Sequence, residues 1–186
     1  MTDLDLLARQ VGANERTLRR AFNDGAIRGE RPTPRKLKIA APEMGYLRRS
    51  WGLLAALRST LRTEQNVRFA LLFGSAARGD DGASSDVDLL VEMRDSSLAR
   101  IADLGAKLEA MLGRRVDILT LDEAKENMRL LVQAVDEGRV LVDREGRWLP
   151  LRDEATGLRS RAEEGARREK QRALAGIDRM LADEVE

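Results

Sequence analysis

Between Phe69 and Val91 an apolar run passes into a Gly-Ser turn and then into two aspartates one residue apart, an order that predicts a buried strand, a turn into a short helix, and a second strand carrying both carboxylates on one face. Val67 to Phe73 (VRFALLF) is short, apolar and partly β-branched, and it is bounded by Asn66 and Gly74, so it reads as a buried strand. Gly74 lets the backbone turn sharply and approach a ligand with no Cβ in the way. Ser75 then opens a short helix, whose hydroxyl and free first-turn N–H groups suit an anion. Arg78, one turn further on, adds a planar fork of donors for phosphate oxygens. Gly74, Ser75 and Arg78 are the candidate nucleotide-binding residues.

Asp86-Val87-Asp88-Leu89-Leu90-Val91 alternates, placing Asp86, Asp88 and Leu90 on one face of a strand and Val87, Leu89 and Val91 on the other. Two carboxylates thus point the same way. At about 5 Å and an effective dielectric near 20 they repel by roughly 3 kcal/mol, a cost that a cation between them would offset. Mg²⁺, which takes one or two protein carboxylates with phosphate oxygens and water, suits such a site. Arg115 to Thr120 (RVDILT) is a further short strand with Asp117 and Leu119 on one face. If it lies beside the first aspartate strand, Asp117 joins the cluster, as a metal ligand and as the base for an attacking hydroxyl.

Gly74, Ser75, Asp86 and Asp88, spaced as G-S, ten residues, D-x-D, with the later Val-Asp-Ile at Asp117, resemble the DNA polymerase β-type nucleotidyltransferase superfamily, and most closely its minimal nucleotidyltransferase members. The resemblance covers about Val67 to Asp143. It implies a mixed α+β fold, a nucleotidyltransferase-type mixed sheet flanked by helices. It also implies two Mg²⁺ ions held by Asp86, Asp88 and Asp117, which would be the catalytic residues. The implied reaction moves a nucleoside monophosphate from an NTP, here ATP, to an acceptor hydroxyl with loss of pyrophosphate.

With no cysteine and no histidine, the chain excludes disulfides, a Cys/His zinc site, a Ser-His-Asp triad and thiol catalysis. Carboxylates and arginines must carry the chemistry. No stretch reads as a signal peptide or a membrane span, which fits a cytoplasmic protein without a membrane partner. The formal net charge is only +1, but it is unevenly spread: between Arg16 and Lys38 eight basic residues face two acidic ones, Asp24 and Glu30. Such a local excess points to a polyanion.

Leu4, Leu6, Leu7 and Val11 mark a first helix ending at Gly12, and Asn14 caps a second from Glu15 to Asn23, stopped by Gly25. This stretch resembles a helix-turn-helix of the small winged type, with Ala26 to Ile39 as a β-hairpin wing. The resemblance implies DNA contacts from Arg16, Thr17, Arg19 and Arg20 on the second helix and from Arg35 and Lys36 on the wing. A dimer would then be needed to read bases specifically.

The organisation expected is a helix-turn-helix-like module over 1–41, a connecting helix over 42–65, the nucleotidyltransferase domain over 66–150 and a charged C-terminal helix over 151–186. Pro42 opens the connecting helix, and Leu47, Trp51, Leu54, Leu57 or Arg58, and Leu61 recur along one stripe, with Trp51 as a core anchor. Ser96 to Leu112 is expected as a helix with Leu98, Ile101, Leu104, Leu108 and Leu112 inward. Leu121 to Glu137 is expected as one more, with Asp122 near its cap and Met128, Leu131, Val132 and Val135 along one side. Arg139 to Asp143 reads as an edge strand. The C-terminal helix has three uses open to it: packing on its own domain, pairing with a second copy, or docking a partner.

Three functional readings follow. The first is an antitoxin-like nucleotidyltransferase that modifies a HEPN-type toxin protein and binds DNA. The second is a nucleotidyltransferase toxin acting on RNA. The third, a DNA-binding regulator with a degenerate fold, ranks last because Gly74, Ser75, Arg78, Asp86, Asp88 and Asp117 are all present. Minimal nucleotidyltransferase antitoxins usually lack an attached helix-turn-helix, so the resemblance leaves the partner open.

Overall fold

Strand β3 (Val67–Phe73) lies at the centre of the fold because its residues are apolar on both faces and can be buried on both. The computed structural model describes residues 3–33, 36–82 and 84–160. Ahead of β3 come α1 (Asp3–Gln10), α2 (Glu15–Asn23), the hairpin strands β1 (Glu30–Thr33) and β2 (Lys36–Lys38), and α3 (Ala41–Thr63). After it come α4 (Gly74–Arg78), β4 (Val87–Met93), α5 (Leu98–Leu112), β5 (Val116–Thr120), α6 (Leu121–Glu126), α7 (Met128–Glu137), β6 (Arg139–Asp143) and a helical segment over 148–160, α8.

Four of these strands form one mixed sheet in the order β5-β4-β3-β6, with β4 and β6 antiparallel to β3 and β5 parallel to β4. This is the α+β architecture that the sequence implied. Alternation sorts the side chains into two apolar layers. Ala70, Leu72, Val87, Leu89, Val91 and Val116 face the layer that also holds Trp51, Leu54, Leu104 and Leu108; Phe69, Leu71, Phe73 and Leu90 face Leu121, Leu131, Val135 and Leu151. Each fully buried leucine in these layers contributes about 2 kcal/mol.

The first layer continues into the N-terminal segment, where Leu4, Leu7, Leu18, Ile27 and Leu37 belong to the same cluster. Asn14 caps α2 as expected, accepting from Thr17 N–H at 2.7 Å, and β1 pairs antiparallel with β2. Leu6 is exposed, since it lies opposite the Leu4 and Leu7 stripe of α1. The outer edge of β6 is closed from this side: Val140 N–H donates to Gly25 O at 3.1 Å, and Arg58 donates to Val140 O at 2.8 Å.

Several expectations need correction. Leu98 does not turn inward but is 86% exposed, because it begins α5 before the helix reaches the sheet. The helix expected over Leu121 to Glu137 is two helices broken at Asn127 (φ −117°, ψ 86°), whose side chain accepts from Leu130 N–H and starts α7. Met128 consequently sits on an outward first turn. The cap of α6 is Thr120, with Asp122 beside it in the first turn as expected, in a capping box where Thr120 Oγ1 and the Glu123 carboxylate each satisfy the other's N–H. In the tail, Leu151 and Ala155 bury against the second layer, so α8 packs on its own sheet; the charged stretch from 161 lies outside the described residues.

Candidate active site

Register brings the polar groups together. Phe73, the last residue of β3, pairs with Asp88 on β4, and Asp88 pairs with Asp117 on β5. The glycine turn and two of the aspartates therefore lie side by side across three neighbouring strands at one end of the sheet. Asp86 stands just before β4, two residues from Asp88.

Gly74 has φ +69°, and a Cβ there would come within 2.1 Å of Asp88 Oδ2. Glycine is required twice over, by its backbone angle and by the carboxylate against it. The short helix α4 is held from behind: Tyr46 Oη donates to Ala76 O at 3.1 Å and Arg139 Nε to Ala77 O at 2.7 Å. Burial pushes the Tyr46 hydroxyl up to about 12, so it remains a donor. Arg139 is itself buried, pairs with both oxygens of Glu43 at 2.6 and 2.9 Å, and stacks on the Tyr46 ring.

The loop ahead of Asp86 is pinned by Arg114, which donates to Ser85 O at 2.6 and 3.0 Å and meets Asp81 at 2.8 Å. Sequence reasoning did not single out Arg114, Tyr46 or the Arg139–Glu43 pair. It also missed Glu137, whose Oε2 accepts from Gly74 N–H at 3.1 Å and from Arg78 Nη1 at 2.8 Å.

Electrostatics single out Asp88. Burial first, then the charges of Asp117 and Asp86, raise its carboxyl above the ordinary 3.8, while Arg78 pulls the other way. Asp117 is more open and has Arg115 at 3.7 Å. Among the described residues, no three acidic side chains close into a set ready to hold an ion. The donor chemistry still fits a hard cation, since all three candidates offer carboxylate oxygens and the charges of Asp117 and Asp86 act on Asp88 more strongly than that of Arg78.

The candidate DNA-binding residues lie elsewhere. Arg16, Thr17 and Arg20 are exposed on α2 and Lys36 on β2. The Thr17 hydroxyl donates to Asn14, and Arg19 is paired with Glu15. Arg35 lies outside the described residues.

Comparison with known proteins agrees with the fold. A family model described as polymerase beta, nucleotidyltransferase, matches residues 56–147. The chain is 38% identical to protein adenylyltransferase MntA of Thermococcus cleftensis over 77 residues, 41% of this chain and 78% of that protein. Among solved structures, that of a toxin-antitoxin with AMP-PNP has a TM-score of 0.51 at 22% identity, covering 65% of this chain and 98% of its own. A toxin-antitoxin MntA-HpeT mutant scores 0.50 at 20% identity, covering 67% and 98%. These last two share the fold. Taken with the glycine turn and the aligned aspartates, these findings establish that the chain belongs to the polymerase β nucleotidyltransferase family.

Proposed function

We propose that this protein transfers an adenylyl group from ATP to a hydroxyl of a partner protein, releasing pyrophosphate, and that the partner is a HEPN-type toxin. The observation that carries the reading is the alignment of Phe73, Asp88 and Asp117 across adjacent strands, with Gly74 opening and Arg78 closing the short helix α4 that follows Phe73. The adenylyltransferase relative and the toxin-antitoxin neighbours support the choice of ATP and of a protein acceptor.

Each residue has a task that its position allows. Gly74 N–H and Arg78 bind phosphate oxygens and fix the triphosphate beside the aspartates. Tyr46 and Arg139 hold α4 so that those donors stay in place. Asp86, Asp88 and Asp117 would hold divalent cations, Mg²⁺ by the chemistry of the donor set. Such ions, when bound, draw charge from phosphate oxygens and lower the pKa of an acceptor hydroxyl. Asp117, the more exposed carboxylate, would take the proton of that hydroxyl.

The basic face of α2 and the β1–β2 hairpin support a second activity, binding of duplex DNA, with Arg16, Arg20 and Lys36 on phosphates. The direct test is incubation of the protein with labelled ATP, CTP, GTP or UTP and a co-purified partner. Label on a partner protein, from ATP above the others, is expected. Label on RNA instead would overturn the protein-acceptor reading in favour of a toxin acting on RNA.

A further inference from the structure

Glu137 ends α7, where a carboxylate faces the negative pole of the helix dipole and the helix's own free carbonyls. Such a placement needs compensation, and the contacts supply it. Oε2 accepts from Gly74 N–H at 3.1 Å and from Arg78 Nη1 at 2.8 Å, and Oε1 accepts from Gln133 Nε2 at 3.3 Å. Only 20% of the side chain is exposed. One oxygen thus takes both donors that the proposed function assigns to the triphosphate.

We propose that Glu137 is an internal anion that occupies the phosphate cradle of the nucleotide-free protein, and that ATP binds by displacing its carboxylate from Gly74 and Arg78. The inference rests on the nucleotide-site reading above and adds to it a residue that sets nucleotide affinity.

Three features favour displacement over sharing. A phosphate and a carboxylate cannot both sit on Gly74 N–H, which offers a single proton, and their like charges repel across the few ångströms between them. Arg78 has a second acidic neighbour, Asp80 at 3.1 Å from Nε, so losing Glu137 does not leave the guanidinium unpaired. The backbone of Glu137 is fixed, with its carbonyl accepting from Arg28 Nη2 at 2.5 Å, while the carboxylate hangs on a flexible side chain. Displacement is therefore a rotamer change that leaves α7 where it is. Until then, the carboxylate keeps Gly74 N–H and Arg78 aimed at one point in space, so the cradle is already assembled when the triphosphate arrives.

The test is calorimetric titration of the full chain with ATP in Mg²⁺, comparing wild type with Glu137→Gln, Glu137→Ala and Arg78→Ala, each checked for an unchanged circular dichroism spectrum. Both Glu137 variants are expected to bind ATP about tenfold more tightly, to bind inorganic tripolyphosphate more tightly as well, and to show the gain most at low salt. Arg78→Ala is expected to bind about tenfold more weakly, and Glu137→Ala added to it should recover little. Unchanged or weaker ATP binding by both Glu137 variants, with Arg78→Ala still impaired, would overturn the internal-anion role and leave the nucleotide site standing. Wild-type ATP affinity in Arg78→Ala would overturn the cradle itself and the proposal with it.

Discussion

Asp88 and Asp117 are register partners on adjacent parallel strands, one half-buried and one open to solvent. That difference underlies the separate roles proposed for them. Asp117→Asn is expected to lower adenylyl transfer by about a hundredfold or more while leaving ATP affinity within a few-fold of wild type. Asp88→Ala is expected to remove both transfer and the thermal protection given by ATP with Mg²⁺. Transfer of labelled AMP and a thermal-shift titration read the two effects separately; equal loss of protection in both variants would make Asp117 a ligand only.

The raised Asp88 carboxyl has a pH signature. Between its ordinary 3.8 and its raised value, the folded protein holds a proton that the unfolded chain has lost. The contribution of this group to stability therefore falls as pH rises through that window, and the ionised carboxylate destabilises the cation-free protein near neutral pH. Asp88→Asn is expected to melt higher than wild type near neutrality, with the gap closing toward pH 3.8. Addition of Mg²⁺ should narrow the gap from the wild-type side. Thermal melts across pH, with and without the cation, check the sign.

Removing one half of the buried ion pair is expected to be costly. Glu43→Ala strands Arg139, which is 2% exposed, and should destabilise the fold by about 3–5 kcal/mol in denaturant titration. Replacing both partners, as Glu43→Leu with Arg139→Met, should recover much of that stability. Adenylyl transfer should not recover with it, because Arg139 Nε no longer reaches Ala77 O on α4.

On the basic face, Arg16→Ala and Arg20→Ala are each expected to reduce the slope of log affinity against log salt for duplex DNA by about one. Arg19→Ala should change it less, since Glu15 already neutralises that guanidinium. A slope unmoved by all three changes would remove α2 from any nucleic-acid contact.

Much of this site was legible because its parts are local. A glycine after an apolar run and aspartates alternating with valine and leucine fix a turn and a facing within a few residues, and β3 and β6 fall at the expected bounds. Asp117 was legible only conditionally, through the supposition that β5 lies beside β4. What the sequence hid depends on long-range partners. Glu137 owes its place to an amide 63 residues away, and Arg139 to a carboxylate 96 residues away. Arg139 reads as the polar start of an edge strand, yet the N-terminal segment covers that edge and buries it. The break at Asn127 was hidden for another reason: the apolar period runs on across it, and only the side-chain cap of Asn127 on Leu130 N–H restarts the helix. One clue was present in the sequence, a glutamate at a helix C-terminus, where the dipole disfavours it.

The bond from Val140 N–H to Gly25 O and that from Arg58 to Val140 O have a consequence for solubility. An open edge strand is a template for adding further strands, and β6 carries Val140, Leu141 and Val142 in a row. The segment between α2 and the hairpin thus acts as a guard against self-association. A chain trimmed to its sheet and flanking helices would lose that guard and present a bare apolar ribbon to its neighbours.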